Sequence, residues 1–144
     1  MLEITVLLLM SWRVGAAATS PTQSDSCVRF EPSTVRITGV LKRRTYPGPP
    51  NYESISRGDQ PETGYYLSLP RPLCVQSAGS DSTVNQRRAN VRLVQLLLDS
   101  AAYAQLRPRL GRTVTLSGTL SSAVTGHHHA PVLLQVVLPL QRGP

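Results

Sequence analysis

Residues 35–41 read VRITGVL, and residues 114–120 read VTLSGTL. In the first, Val35, Ile37 and Leu41 fall on one side of an extended chain, with Arg36 and Thr38 on the other. In the second, Val114, Leu116 and Leu120 alternate with Thr115, Ser117 and Thr119. A period of two is the signature of strands with one buried face. Both copies carry a glycine at the matching place, Gly39 and Gly118. A glycine inside a strand marks a bulge, a sharp bend or a close approach of another backbone. Two strands that each bend at a glycine suit a small closed barrel better than a flat sheet.

Three more segments extend the pattern. YYLSL (65–69) alternates and stops at a proline, with LCVQ (73–76) as a short extension of that strand. VRLVQLLLD (91–99) is apolar and bounded by polar residues. PVLLQVVL (131–138) sets Val132, Leu134, Val136 and Leu138 on one side. One helix fits, beginning near Asp99 or Ser100, whose side chains accept hydrogen bonds from the free N–H groups of a first turn. Ala102, Tyr103 and Leu106 share a face, and Pro108 and Gly111 end the run. A helix this short must dock on the sheet to persist. The predicted fold is mainly β: a small five-stranded OB-like barrel over residues 31–140, with one short helix between strands 3 and 4. Another small β-barrel, or an α+β roll, uses the same elements.

The chain has 144 residues, one domain's worth. Its formal charge is +7, and Lys42 is the only lysine. An arginine skew of this kind follows base composition and carries no functional weight here. The apolar run ITVLLLMSW (4–12) is too short to span a bilayer. It precedes GAAAT, where Ala16 and Ala18 fit a small-residue cleavage signal. Residues 1–18 therefore read as a secretory signal peptide cut near Ala18, followed by an N-terminal segment, 19–30. Glu3 and Arg13 depart from the usual charge pattern of such leaders, and a frayed cytosolic N-terminus is the alternative. No later run is apolar enough to hold the mature chain in a membrane. A periplasmic or secreted chain would most simply pair its two cysteines, Cys27 and Cys74; two buried thiols are the other possibility. Cys27 lies in SDSC, which lacks the small apolar residues that precede a lipid-modified cysteine.

Two segments stand apart. TYPGPPNYESISRGDQPETG (45–64) reads as a long loop between the first two strands. Pro47, Pro49 and Pro50 beside Tyr46 and Tyr52 leave it few conformations to lose. It also holds Glu53, Asp59 and Glu62. TGHHHAPVLL (125–134) falls between strands four and five. OB barrels bind ligands across strands two and three, flanked by these same two loops. The candidate site is thus loops 46–62 and 125–131, with Tyr46, Tyr52 and Tyr65 as contact surface. Glu53, Asp59, Glu62, His127, His128 and His129 supply polar groups.

In an extended segment His127 and His129 point one way and His128 the other. The first reading is a non-catalytic domain that binds an envelope ligand or protein through these loops. The second is a metal-binding envelope protein, in which His127 and His129 join a carboxylate from 53–62 around zinc or copper. No cofactor is otherwise expected. The third is a hydrolase acting on an envelope polymer. For catalysis there is no H-E-x-x-H, no G-x-S-x-G and no phosphate-cradling glycine loop, so no catalytic residue is assigned. Nucleic acid is not an expected partner. LKRR (41–44), QRR (86–88) and Arg107, Arg109 and Arg112 are basic, but only Tyr65 and Tyr66 are candidate stacking platforms.

RITGVLKRRTYPGPPNYESI, RGDQPETGYYLSL, LCV and LRPRLGRTVTLSGTLSSAVTGHHHAPVLL together resemble the bacterial family termed domain of unknown function 4431, over about residues 27–138. PGPPNYESI with GD-x-PET, and the TGHHH-x-PVLL box, are specific in combination. The resemblance implies a small exported domain with no established biochemical activity, and it brings no catalytic residues. Where such family members commonly have threonine before the proline of the histidine box, this chain has Ala130, so no hydroxyl role is carried over.

Overall fold

The computed structural model describes residues 27–77, 79 and 83–138. The predicted leader, residues 1–18, and most of the segment that follows it lie outside the described residues. Six strands form one sheet: β1 (Val28–Arg29), β2 (Thr34–Pro47), β3 (Pro61–Gln76), β4 (Arg88–Leu97), β5 (Thr113–Ser122) and β6 (Val132–Val136). The sheet closes on itself. β3 pairs β2, β2 pairs β5, β5 pairs β6, β6 pairs β4, and β4 returns to β3. Within this ring only β4–β6 is parallel. Leaving aside the two-residue β1, this is the five-stranded order of an OB barrel. The single α-helix among the described residues, α1 (Ser100–Leu106), falls between β4 and β5, because β1 precedes the five longer strands.

The alternating residues build the core. Leu41, Leu67, Val94, Leu116, Leu120, Val132 and Leu134 are 0–1 % exposed. Asp99 caps α1 by accepting from the Ala102 N–H at 2.7 Å. Leu106 carries the helix into the core cluster, where it is fully buried. β1 runs parallel to β3, with Val28 opposite Val75, and the Cys27–Cys74 disulfide sits beside that pairing.

Both strand glycines mark close backbone approaches. A Cβ on Gly39 would lie 2.9 Å from the Ser68 carbonyl oxygen. A Cβ on Gly118 would lie 2.0 Å from the Gln135 carbonyl oxygen, inside the β5–β6 ladder.

The first loop is shorter than its sequence suggests. Residues 45–47 and 61–64 belong to β2 and β3, leaving 48–60 as the connection. The two strands run on together past the end of the β2–β5 pairing at Val40, with Tyr46 opposite Glu62 and Lys42 opposite Tyr66. Thr45 and Thr63 join their hydroxyls across this arm at 2.7 Å. Prolines 70 and 72 fall where β3 loses its regular pairing with β4, between Ser68 and Leu73.

The Gly118 contact carries a test. Gly118→Ala should lower unfolding stability by at least ~2 kcal/mol, since neither backbone can give way without breaking the ladder. An unchanged urea midpoint and slope would show that β5 and β6 do not approach this closely.

Candidate functional site

The 48–60 loop is organised by one carboxylate. Asp59, 5 % exposed, accepts at Oδ1 from the backbone and side-chain N–H groups of Asn51, at 2.9 and 3.1 Å. Its Oδ2 accepts from the Glu53 and Ser54 N–H groups at 2.8 and 2.7 Å. Ser54, with help from Glu53 and Asn51, holds the carboxyl down to about 2, against the opposing effect of burial. Tyr52 sits inside this turn at φ 59, a backbone conformation rare for a bulky residue. The surrounding hydrogen bonds hold it there, including its own N–H to the Gly48 carbonyl at 2.9 Å.

The second loop lies across the outer face of β3 and β4. Glu62, Gly64 and Tyr66 alternate onto that face, and Gln95 stands opposite Tyr66 on β4. Gln95 grips the histidine box at both ends of its amide. Its Oε1 accepts from the His129 N–H at 2.7 Å, and its Nε2 donates to the His127 carbonyl at 3.1 Å.

The three histidines then separate. His128 turns back, its Nδ1 accepting from the Val124 and Thr125 N–H groups at 2.9 and 3.3 Å. His127 and His129 both reach Glu62: His127 Nδ1 meets Oε1, and His129 Nε2 meets Oε2 at 2.8 Å. An ionised carboxylate only accepts, so both of these ring nitrogens donate. The other nitrogen of His127, Nε2, lies 3.2 Å from the Tyr52 hydroxyl, and the two rings meet edge to face at 5.4 Å. Room for Tyr52 comes from Gly126, where a Cβ would lie 2.8 Å from the Tyr52 ring. His129 stacks on Tyr46 at 4.9 Å, and Tyr46 packs edge to face on Tyr66 at 5.5 Å.

The charge state follows from the contacts. The His129 hydrogen bond, and then that of His127, hold the Glu62 carboxyl below its usual range, with burial working the other way. Burial, reinforced by Tyr46 and Tyr103, pushes the Tyr66 phenol up to about 12, so it stays a neutral donor.

Beside this cluster is a cavity of about 590 Å³. Glu62, Tyr66, Gln95, Tyr103, His127 and His129 contribute to its wall, joined by the chain from Leu96 to Asp99.

The two loops thus bring Tyr46, Tyr52, Glu62, His127 and His129 together. Three other sequence candidates stand elsewhere in function. Asp59 is consumed by its own turn, Glu53 is exposed and pairs with Arg57 at 3.5 Å, and His128 caps the turn at 124–125. Tyr65 is a correction. It points into the barrel, 8 % exposed in the core cluster, with its ring edge to face on Tyr103. Its neighbour Tyr66 takes the outward place. The signal was present, since Tyr65 shares parity with the buried Leu67 and Leu69. Gln95 was also missed; its mark was a lone polar residue inside the apolar run LVQLLL (93–98). Among the described residues, no group of three or more His, Cys, Asp or Glu is arranged to hold a metal ion.

Because the folded Asp59 carboxyl titrates near 2 and the free one near 3.8, the turn gains stability above pH 3.8 and loses it as pH falls through about 2. The amide resonances of Glu53 and Ser54 should titrate with that low midpoint. Asp59→Asn should abolish the titration and loosen 51–59 while leaving the barrel folded. A midpoint in the ordinary carboxylate range would show that these bonds do not form.

No curated protein and no solved structure matched the chain. Residues 93–137, which run from β4 through α1, β5 and the histidine box into β6, match the family described as Domain of unknown function (DUF4431), and over that stretch the chain resembles it.

Proposed function

We propose that this chain is an exported, non-catalytic binding domain, and that it holds its ligand in the cleft between the histidine box and the outer face of β3 and β4. The observation that carries this reading is the position of the 590 Å³ cavity. It lies on the face that OB barrels use for ligands, next to the two loops that flank that face. The walls are held in place before any ligand arrives, by Glu62 between two histidines and by Gln95 across the box. Export, to the periplasm or beyond, is supported by the apolar run 4–12 with Ala16 and Ala18, and by a disulfide, which oxidising compartments favour. Among the described residues no helix is long and apolar enough to cross a membrane.

A fragment library screened by amide chemical shifts tests the cleft without knowledge of its ligand. Hits should cluster on Gln95, Leu97, Tyr103 and His129. Hits that cluster on the opposite wall, around Thr38 and Thr115, would refute the reading.

Metal binding is the competing reading, because Glu62, His127 and His129 converge. In that convergence each histidine already donates to its own carboxylate oxygen. Zinc, copper and nickel should therefore leave the melting temperature where a chelator leaves it. A rise that His127→Ala and His129→Ala both abolish would replace the ligand cleft with a metal site.

A further inference from the structure

The lining of the cleft narrows what it holds, provided that the cleft is the binding site. The chain carries 15 Lys and Arg against 8 Asp and Glu. Among the described residues no Lys or Arg lines the cavity, whose carboxylates are Glu62 and Asp99. Strands of nucleic acid and other phosphate-bearing ligands draw most of their affinity from Lys and Arg at the phosphates. Here such a ligand would face two carboxylates. Lys42 and Arg44, exposed on β2 opposite Tyr66 and Gly64, stand on the neighbouring strand and do not contribute to the wall.

The other groups that face a ligand are phenol, imidazole and amide. Tyr66 is 1 % exposed and lines the cavity, yet no described residue hydrogen-bonds its hydroxyl. His129 spends Nε2 on Glu62, and no described residue hydrogen-bonds its Nδ1. Tyr103 is 37 % exposed and offers both a hydroxyl and an aromatic ring. Gln135 adds an amide, and Leu97 and Leu98 add apolar surface. Hydroxyl, imidazole and amide groups set around an aromatic ring and aliphatic patches complement a molecule with many hydroxyls and apolar C–H faces. We propose that the cleft binds an uncharged, polyhydroxylated ligand, a short segment of an oligosaccharide.

The test titrates the full chain, disulfide intact, in a calorimeter with cellohexaose, maltohexaose and chitohexaose, and with oligothymidylate as the anionic counterpart. At least one sugar should bind and oligothymidylate should not. Tyr103→Ala should weaken the sugar about tenfold. Tyr66→Phe, which removes one hydroxyl and keeps the buried ring, should weaken it about three- to tenfold. Failure of all three sugars overturns the assignment of ligand class. Binding of oligothymidylate alone, lost in Tyr103→Ala, overturns the class and leaves the cleft as the site. Sugar binding that neither substitution changes overturns the cleft itself.

Discussion

One carboxylate ties the two loops of this barrel together. Glu62 lies near the start of β3 and receives a hydrogen bond from His127 and another from His129, both supplied by the β5–β6 connection. Each donor uses a different oxygen, so neither ring can shift without releasing the carboxylate. The chain of contacts continues outward through His127 to Tyr52 and through His129 to Tyr46. A single acidic side chain thereby fixes the relative position of Tyr46 on β2, Tyr52 in the first loop and two imidazoles from the second. The charge-assisted character of these bonds makes them shorter and stronger than neutral ones. A substitution at Glu62 would release both imidazoles at once.

The barrel's contribution is the floor beneath that cluster. Strand alternation sends Tyr65, Leu67 and Leu69 inward and Glu62, Gly64 and Tyr66 outward. The pairing of β3 with β4 then puts Gln95 beside Tyr66, at the place where the histidine box must be held. A slip of one residue in that register would exchange the inner and outer faces of the strand. The closeness of β5 to β6 at Gly118 guards the other boundary, because β6 follows directly from the box.

Much of this was legible in the residues. The two glycine-marked repeats pointed to a closed barrel, Asp99 to the helix start, and the two odd loops to one side of the fold. The parts that were not legible have physical causes. The three acids of the first loop looked alike in sequence, yet a loop can bury a carboxylate only if backbone N–H groups surround it. Asp59 found four N–H donors in residues 51–54 and became structural, while Glu62, already on a strand, faced outward. Only the fold decides which is which. Tyr65 against Tyr66 was a question of parity, which Leu67 and Leu69 answer once they are read with it. Gln95 escaped notice because its partners are main-chain groups 32 and 34 residues away, and main-chain acceptors and donors leave no mark in the side-chain pattern.

The segments that meet at Glu62 are far apart along the chain, with His127 65 positions after Glu62 and 75 after Tyr52. Nothing local can assemble them. Of the strands that close the ring, β6 is the final one in chain order, and the histidine box is the span that delivers it. A chain with β2 to β5 in place but β6 undocked would keep the part of the wall that β3, β4 and α1 supply and lose His127, His129 and Gln135 from it. Contacts of such long range cost loop-closure entropy before they repay it. The cleft is therefore a report on completion: its two walls face each other only in molecules whose barrel has shut, and a half-folded chain offers a ligand one open side.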